Sequence, residues 1–403
     1  MRYWDAFFAF LVAMVVATLL TPFAGKLARR VGAVATPSER GLAERDTPAL
    51  GGLAILAGVL VAAAFWLPPT INLHHTAGTA PGTSGTVHTW ALLAGACLIT
   101  LVGAIDDAHP LKPQWKLLGQ IAVAVIAVKA GAVVTDVRIP FAGTVQLPNA
   151  GGPLTVIWLV GLMNVVNLSD GVDGLAAGLC TIDGIAFAII AFDLGISGAA
   201  VLAALTAGAA LGFLFHNFPP ASSFMGDAGA NLLGYLLGVV AVVGSVKTGA
   251  VVALMVPLIV LAVPFLDTGF VVAKRLKYRR KPWAADANHF HHRMARMGYS
   301  QRRTVAYLYG WTLMLAGVAV ALRFVPYSNH NGHYYLGWSI VMGVILLAGL
   351  AASVYLVYVL EILKFKSMRI RVRRREAPEL PEEELEEIAE HDVDTGEFEQ
   401  VRQ

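Results

Sequence analysis

Long uninterrupted apolar runs, rather than amphipathic stripes, dominate this chain. Runs of roughly 18 to 25 apolar residues match the length of helix needed to cross a hydrocarbon core. They recur near residues 4–24, 49–68, 88–105, 114–134, 153–168, 174–194, 197–216, 228–246, 249–273, 304–324 and 336–362. The pattern predicts an all-α polytopic membrane protein with about eleven transmembrane helices. The first run is weakly charged in front and is followed by Thr-Pro-Phe-Ala-Gly-Lys instead of a small-residue cleavage site, so it reads as a retained span. Two of the intervening stretches are conspicuous. Pro69 to His88 is rich in Gly, Thr and His, with His74 and His75 reading as solvated loop residues. Residues 135–153 carry Val-Arg-Ile-Pro-Phe and Thr-Val-Gln-Leu-Pro, which suit a short hairpin.

Composition agrees with the pattern: 57% of the 403 residues are hydrophobic and 14% are charged, and the mean hydropathy is +0.64. The formal charge of +3 conceals a segregation that adds a boundary, because Lys364 to Arg375 is basic and the stretch from Glu376 onward is acidic. We therefore divide the chain into a polytopic domain, 1–363, and a cytoplasmic basic-then-acidic tail, 364–403, that faces anionic lipid and solvent. Alternate loops hold 24 of the 30 Lys and Arg residues. By the excess of basic residues on the inner side, the N-terminus lies outside and the C-terminus in the cytoplasm. Cys97 and Cys180 sit inside apolar runs without a CxxC or His-rich neighbourhood and read as packing residues. No internal repeat or domain-sized soluble insertion interrupts the chain.

Four polar clusters fall on the basic side. An ionised carboxylate at a membrane boundary is expensive without a cation or polar ligand, so clustered acids at helix ends point to a functional site. Asp106 and Asp107 end one apolar run. Asn164, Asn167, Asp170 and Asp173 recur at intervals of three, one face of a helix end, before glycines that let backbone approach a ligand. Asp227 stands between Gly226 and Gly229, just after Phe224, which reads equally as core or as a stacking surface for a base. A hard cation such as Mg2+ needs one or two carboxylates and completes its shell with water and phosphate oxygens. His289, His291, His292 and Arg293 have basic neighbours and no nearby Cys, which suits phosphate contact better than zinc. Carboxylates for a divalent cation, plus cationic donors on one face, describe phosphoryl transfer between a nucleotide-like donor and a lipid phosphate.

These residues resemble the polyprenyl-phosphate N-acetylhexosamine-1-phosphate transferases. The likeness covers most of the chain and runs in order through Asp106-Asp107 with Leu111 and Lys116-Leu-Leu-Gly-Gln120, then Asn164-x-x-Asn167-x-x-Asp170-Gly-x-Asp173-Gly, Phe224-Met-Gly-Asp227-x-Gly and His289-x-His291-His292. Thr47-Pro48-Ala-Leu-Gly51-Gly52 is similar to the family's first cytoplasmic loop. The His-x-His-His pattern resembles the WecA/TagO branch, whose donor is UDP-GlcNAc, rather than the MraY branch. The chain departs from the family at Ala230 and Asn231, where a Ser usually follows Gly-Asp-x-Gly.

The resemblance implies transfer of GlcNAc-1-phosphate from UDP-GlcNAc to undecaprenyl phosphate at the cytoplasmic face of a bacterial inner membrane. The products would be GlcNAc-diphospho-undecaprenol and UMP. By carry-over, Asp106, Asp107 and Asp170 are the catalytic acids, and Asp227 with Asn167 holds Mg2+ or Mn2+. Asn164, Asp173 and Phe224 face the nucleotide, while Arg45, Lys116, His289, His291, His292 and Arg293 hold phosphate or sugar. A homodimer is also implied, and no nucleic-acid partner. Two alternatives stand beside this reading: a related transferase using another UDP-sugar, such as UDP-MurNAc-pentapeptide, and a secondary transporter, which would instead place its acids near the midplane.

Overall fold

The computed structural model describes residues 3–35, 46–73, 85–134, 136–139, 143–147, 149–245, 300–325 and 335–358. Ten helices lie among them: α1 (Tyr3–Val31), α2 (Gly51–Trp66), α3 (Thr89–Ala108), α4 (Pro113–Lys129), α5 (Gly151–Ser169), α6 (Leu175–Asp193), α7 (Ser197–Asn217), α8 (Gly226–Ser245), α9 (Gln301–Phe324) and α10 (Leu336–Tyr358). Each coincides with one of the apolar runs. Seven of them, α1, α3 and α5 to α9, are long and apolar enough to cross a membrane. The run at 249–273, the basic segment with the His cluster, Arg45, His74, His75 and the tail lie outside the described residues.

Three short antiparallel ladders join the helices. β1 (Val34–Ala35) pairs with β2 (Thr47–Pro48), β3 (Thr70–Leu73) with β4 (Gly85–His88), and β5 (Asp136–Ile139) with β6 (Gly143–Gln146). The last is the hairpin expected from the sequence. The β3–β4 pair was not foreseen. Its register runs from Thr70 opposite His88 to Leu73 opposite Gly85, so part of the stretch read as a loop is a paired stem.

α8 is the centre of the bundle, touching α2, α3, α5, α6 and α7, and α7 is packed almost as fully against α1, α2 and α6. Without a hydrophobic drive between helices in lipid, close approach depends on small residues. Ala9, Ala13 and Ala17 of α1 are fully buried at intervals of four. A side chain at Gly208 or Gly212 of α7 would overlap the carbonyls of Phe10 and Met14, so these glycines seat α7 on α1. Gly234 of α8 is pressed on Met163 of α5 in the same way. Large apolar side chains such as Phe65, Trp90, Leu101 and Ile157 point outward, as a lipid-facing surface requires. Cys180 is buried, but Cys97 is exposed on α3. This corrects the expectation that both cysteines pack in the interior: Cys97 falls on the outward face of its helix, where an apolar run places residues as readily as inward.

Candidate functional site

The acids of α3, the loop after α5 and the start of α8 meet at one end of the bundle. At the end of α3, Asp106 Oδ1 accepts the Leu111 amide at 2.7 Å and Oδ2 accepts Lys116 Nζ at 2.9 Å. One carboxylate thus closes the α3–α4 turn, and Pro113 opens α4 where a missing N–H costs nothing. Lys116 also pairs with Asp227. The side chains of Asp106, Asp227 and Lys116 keep 13%, 20% and 28% of their surface, so a ligand can reach all three.

Asp107 does something different. Its Oδ1 accepts the amide of Asp227 at 2.7 Å and Oδ2 that of Ala228 at 3.1 Å, so its carboxylate caps the N-terminus of α8. Free amides and the helix dipole both favour an anion there. Gly226 makes this possible. It has φ +67°, and a side chain on it would overlap the Asp107 carboxylate and the Ala49 carbonyl. The Thr47 to Gly52 stretch pins the same segment through its backbone: Phe224 N donates to Pro48 O at 2.8 Å, and Gly51 N and Gly52 N donate to the carbonyls of Phe224 and Met225, each at 3.0 Å. Gly103 of α3 and Gly52 of α2 lie against the backbone of Ala228 and Gly229, with no room for a Cβ at either. The turn carrying Asp227 is therefore held by α2 and α3 together.

Asn167 and Asp170 end α5, joined by a 3.2 Å backbone bond from Asp170 N to Asn167 O. Burial pushes the Asp170 carboxyl well above the usual carboxylate range, and repulsion from Asp227, Asp107 and Asp173 raises it further. Asp173 Oδ2 accepts the Ala221 amide at 2.9 Å, tying this loop to the segment that ends in Phe224. Asn164 is tied to α4. Its amide donates to Gln120 Oε1 and to Val160 O, each at 2.8 Å, Gln120 donates to Asn231 Oδ1 at 2.8 Å, and Asn231 donates to Asp227 O at 2.8 Å. This amide chain, buried at Gln120 and Asn231, crosses α5, α4 and α8 and ends on the backbone of the acid at the mouth.

The structure thus brings Asp106, Asp107, Lys116, Asn167, Asp170, Asp173, Phe224 and Asp227 to one end. It engages half-buried Asn164 through Gln120. Arg45, His289, His291, His292 and Arg293 lie outside the described residues. Sequence reasoning missed Asn217, a fully buried residue whose Oδ1 accepts Gly174 N at 2.9 Å and whose Nδ2 donates to Ser223 O at 3.0 Å. The signal was available: a polar Asn closes an apolar run just before Phe-Pro-Pro. Among the described residues, no three Asp, Glu, His or Cys side chains form a protein-only metal cage. Mg2+ does not require one, since one or two carboxylates plus phosphate oxygens suffice. The donor set here is of that kind. Asp227 and Asp170 repel one another, and a divalent cation held between them would relieve that repulsion.

Comparison with known proteins fits this geometry. The glycosyl transferase family 4 matches residues 89–245, the stretch holding α3 to α8. A probable undecaprenyl-phosphate N-acetylglucosaminyl 1-phosphate transferase of Bacillus subtilis is 33% identical over 315 residues, covering 77% of this chain and 84% of that protein. A decaprenyl-phosphate N-acetylglucosaminephosphotransferase of Mycobacterium tuberculosis is 34% identical, covering 85% and 87%. A phospho-N-acetylmuramoyl-pentapeptide-transferase of Desulforamulus reducens is 32% identical, covering 78% and 94%. With this identity across most of both chains, and with the acids of its signature motifs gathered at one end of the bundle, the chain belongs to glycosyl transferase family 4, among the polyprenyl-phosphate N-acetylhexosamine-1-phosphate transferases.

Proposed function

We propose that this protein transfers GlcNAc-1-phosphate from UDP-GlcNAc to undecaprenyl phosphate, giving GlcNAc-diphospho-undecaprenol and UMP. An oxygen of the lipid phosphate forms a bond to the β-phosphorus of the donor while the bond from that phosphorus to the UMP oxygen breaks. The observation that carries the reading is the Asp106–Lys116–Asp227 cluster with Asp170 beside it, together with the activities of the relatives. A lipid phosphate is already mostly ionised near neutrality, with a second pKa of about 6. Asp106 therefore need not act as a base. Its bonds to the α3–α4 turn and to Lys116 give it a positioning role, with Lys116 free to exchange carboxylate for phosphate.

Mg2+, or Mn2+ in its place, would be held by Asp227 with Asp170 or Asn167, and would supply charge neutralisation of the pyrophosphate. Asp107 keeps Asp227 in register through the α8 amides. Asp173 and Phe224 lie on the two loops joined by the Asp173–Ala221 bond and form the side of the mouth assigned to uracil. Arg29, Arg30, Lys112, Lys116, Arg302 and Arg303 fall on helix ends at this end of the bundle, while Lys129 and the Arg323–Asp193 pair mark the opposite end. By the positive-inside tendency, the mouth faces the cytoplasm of the bacterial plasma membrane.

The test is donor choice by the purified protein in detergent with undecaprenyl phosphate and Mg2+. We expect lipid labelling and UMP release from UDP-GlcNAc, none from UDP-MurNAc-pentapeptide, and none with EDTA. Labelling only from the muramoyl donor would retain the chemistry and move the branch. No transfer from any UDP-sugar would overturn the enzyme reading.

A further inference from the structure

α9 reaches both loops that carry the nucleotide side of the mouth. At its first turn, Arg302 Nε donates to the Pro219 carbonyl at 2.9 Å, and two turns later the Tyr309 hydroxyl donates to the Gly174 carbonyl at 2.5 Å. Pro219 lies two residues before Ala221, whose amide holds Asp173; Gly174 directly follows Asp173. Both partners of the Asp173–Ala221 contact are thus braced by the same helix. Gly174, at φ +76°, is gripped from two sides, since its amide donates to Asn217 on α7 and its carbonyl accepts Tyr309 on α9. Asn217 in turn donates to Ser223 O, next to Phe224.

The packing is built for this reach. Tyr309 occupies the space where a Cβ at Gly178 would stand, so only glycine at 178 lets the ring lie across α6 toward Gly174. Val305, Leu308, Trp311 and Leu315 of α9 form a buried cluster with Val172, Leu175 and Leu179, which fixes the height of α9 on α6. In sequence, Arg302 follows Arg293 by nine residues, so α9 directly continues the segment bearing the basic His motif.

We propose that α9 is a clamp on the donor-nucleotide loops, with Arg302 and Tyr309 as positioning residues that set affinity for the uridine nucleotide without touching the lipid phosphate. This rests on the transferase reading above. A carbonyl left without its donor lets the Asp173 loop relax, and a hydrogen bond of ordinary strength corresponds to about a fivefold to tenfold change in affinity.

The experiment measures UMP binding directly and steady-state transfer by the full-length protein, for wild type, Tyr309→Phe, Arg302→Gln and Gly178→Ala. Tyr309→Phe keeps the ring and removes one hydroxyl, and Gly178→Ala displaces the ring from the opposite helix. We expect each to weaken UMP binding and raise KM for UDP-GlcNAc by about fivefold to tenfold, with KM for undecaprenyl phosphate unchanged. Arg302→Lys should recover part of the loss. Unchanged UMP binding in folded variants, or an equal rise in KM for the lipid, would overturn the clamp and leave the transferase reading intact. Failure of wild type to bind UMP would overturn both.

Discussion

The α1–α7 seam and the α3–α8 mouth are built by the same device and put it to opposite uses. In the seam, Gly208 and Gly212 bring α7 onto the carbonyls of α1 across a row of buried alanines, and the gain is packing plus two hydrogen bonds at Thr18, to Gly212 O at 3.0 Å and with His216 Nε2 at 2.9 Å. In the mouth, Gly52, Gly103 and Gly226 bring three backbones together around the first turn of α8, and the gain is a fixed direction for Asp227. Close approach in the seam stabilises. Close approach in the mouth gathers Asp107, Asp170 and Asp227 where their charges oppose one another, a cost that a phosphate-binding cation would offset. Stability and function therefore separate by region.

The sharpest break of that comparison is at the acid itself. Asp227→Asn keeps the shape of the first turn of α8 and removes the charge, and we expect transfer to fall by about a thousandfold with the thermal midpoint maintained or raised. Gly226→Ala comes next. The new Cβ meets the Asp107 carboxylate and the Ala49 carbonyl at a positive φ, so the α8 cap should be lost and transfer per folded molecule should fall by about a hundredfold. Gly208→Val should do the reverse. It overpacks the seam, costs about 1–3 kcal/mol of stability seen as lower folded yield in detergent, and leaves the transfer rate of the surviving folded molecules within about twofold.

The smallest effect sharpens the comparison through pH. Asp170 has a raised pKa in the folded protein, so its ionised form destabilises the fold when no cation is bound. The folded protein holds the proton more tightly than the unfolded chain, so this destabilisation is absent below the ordinary carboxylate pKa, grows as pH rises above it, and is complete once the raised value is passed. Asp170→Asn should therefore raise the thermal midpoint in EDTA above neutrality, and the difference from wild type should shrink on acidification. Thermal unfolding between pH 5 and 9 checks this. Apparent Mg2+ affinity of wild type should rise across the same range.

Much of this was legible in the chain. Apolar runs mark helices because a bilayer demands them, and ten of the runs are helices among the described residues. The motif acids were visible because charge at a span boundary is anomalous. Their division of labour was not. Asp106 and Asp107 are adjacent and chemically identical, yet one faces Lys116 while the other caps α8, a difference set by which backbone amides the tertiary fold delivers. Asn164 shares a helical face with Asn167 and Asp170, but its amide is engaged by Gln120 of α4, which in turn donates to Asn231 of α8. Asn231, visible in sequence only as a departure from a family pattern, closes that chain onto Asp227. Gly178 gave no sign of its role, because its partner Tyr309 lies 131 residues away.

The most direct test compares wild type and Asp227→Asn, purified and folded, for Mg2+-dependent formation of lipid-linked GlcNAc from labelled UDP-GlcNAc and undecaprenyl phosphate. We expect wild-type transfer to require Mg2+ and the variant to lose about three orders of magnitude at any Mg2+ concentration. A variant that transfers at the wild-type rate, or a wild type indifferent to EDTA, would contradict the placement of phosphoryl transfer at this mouth.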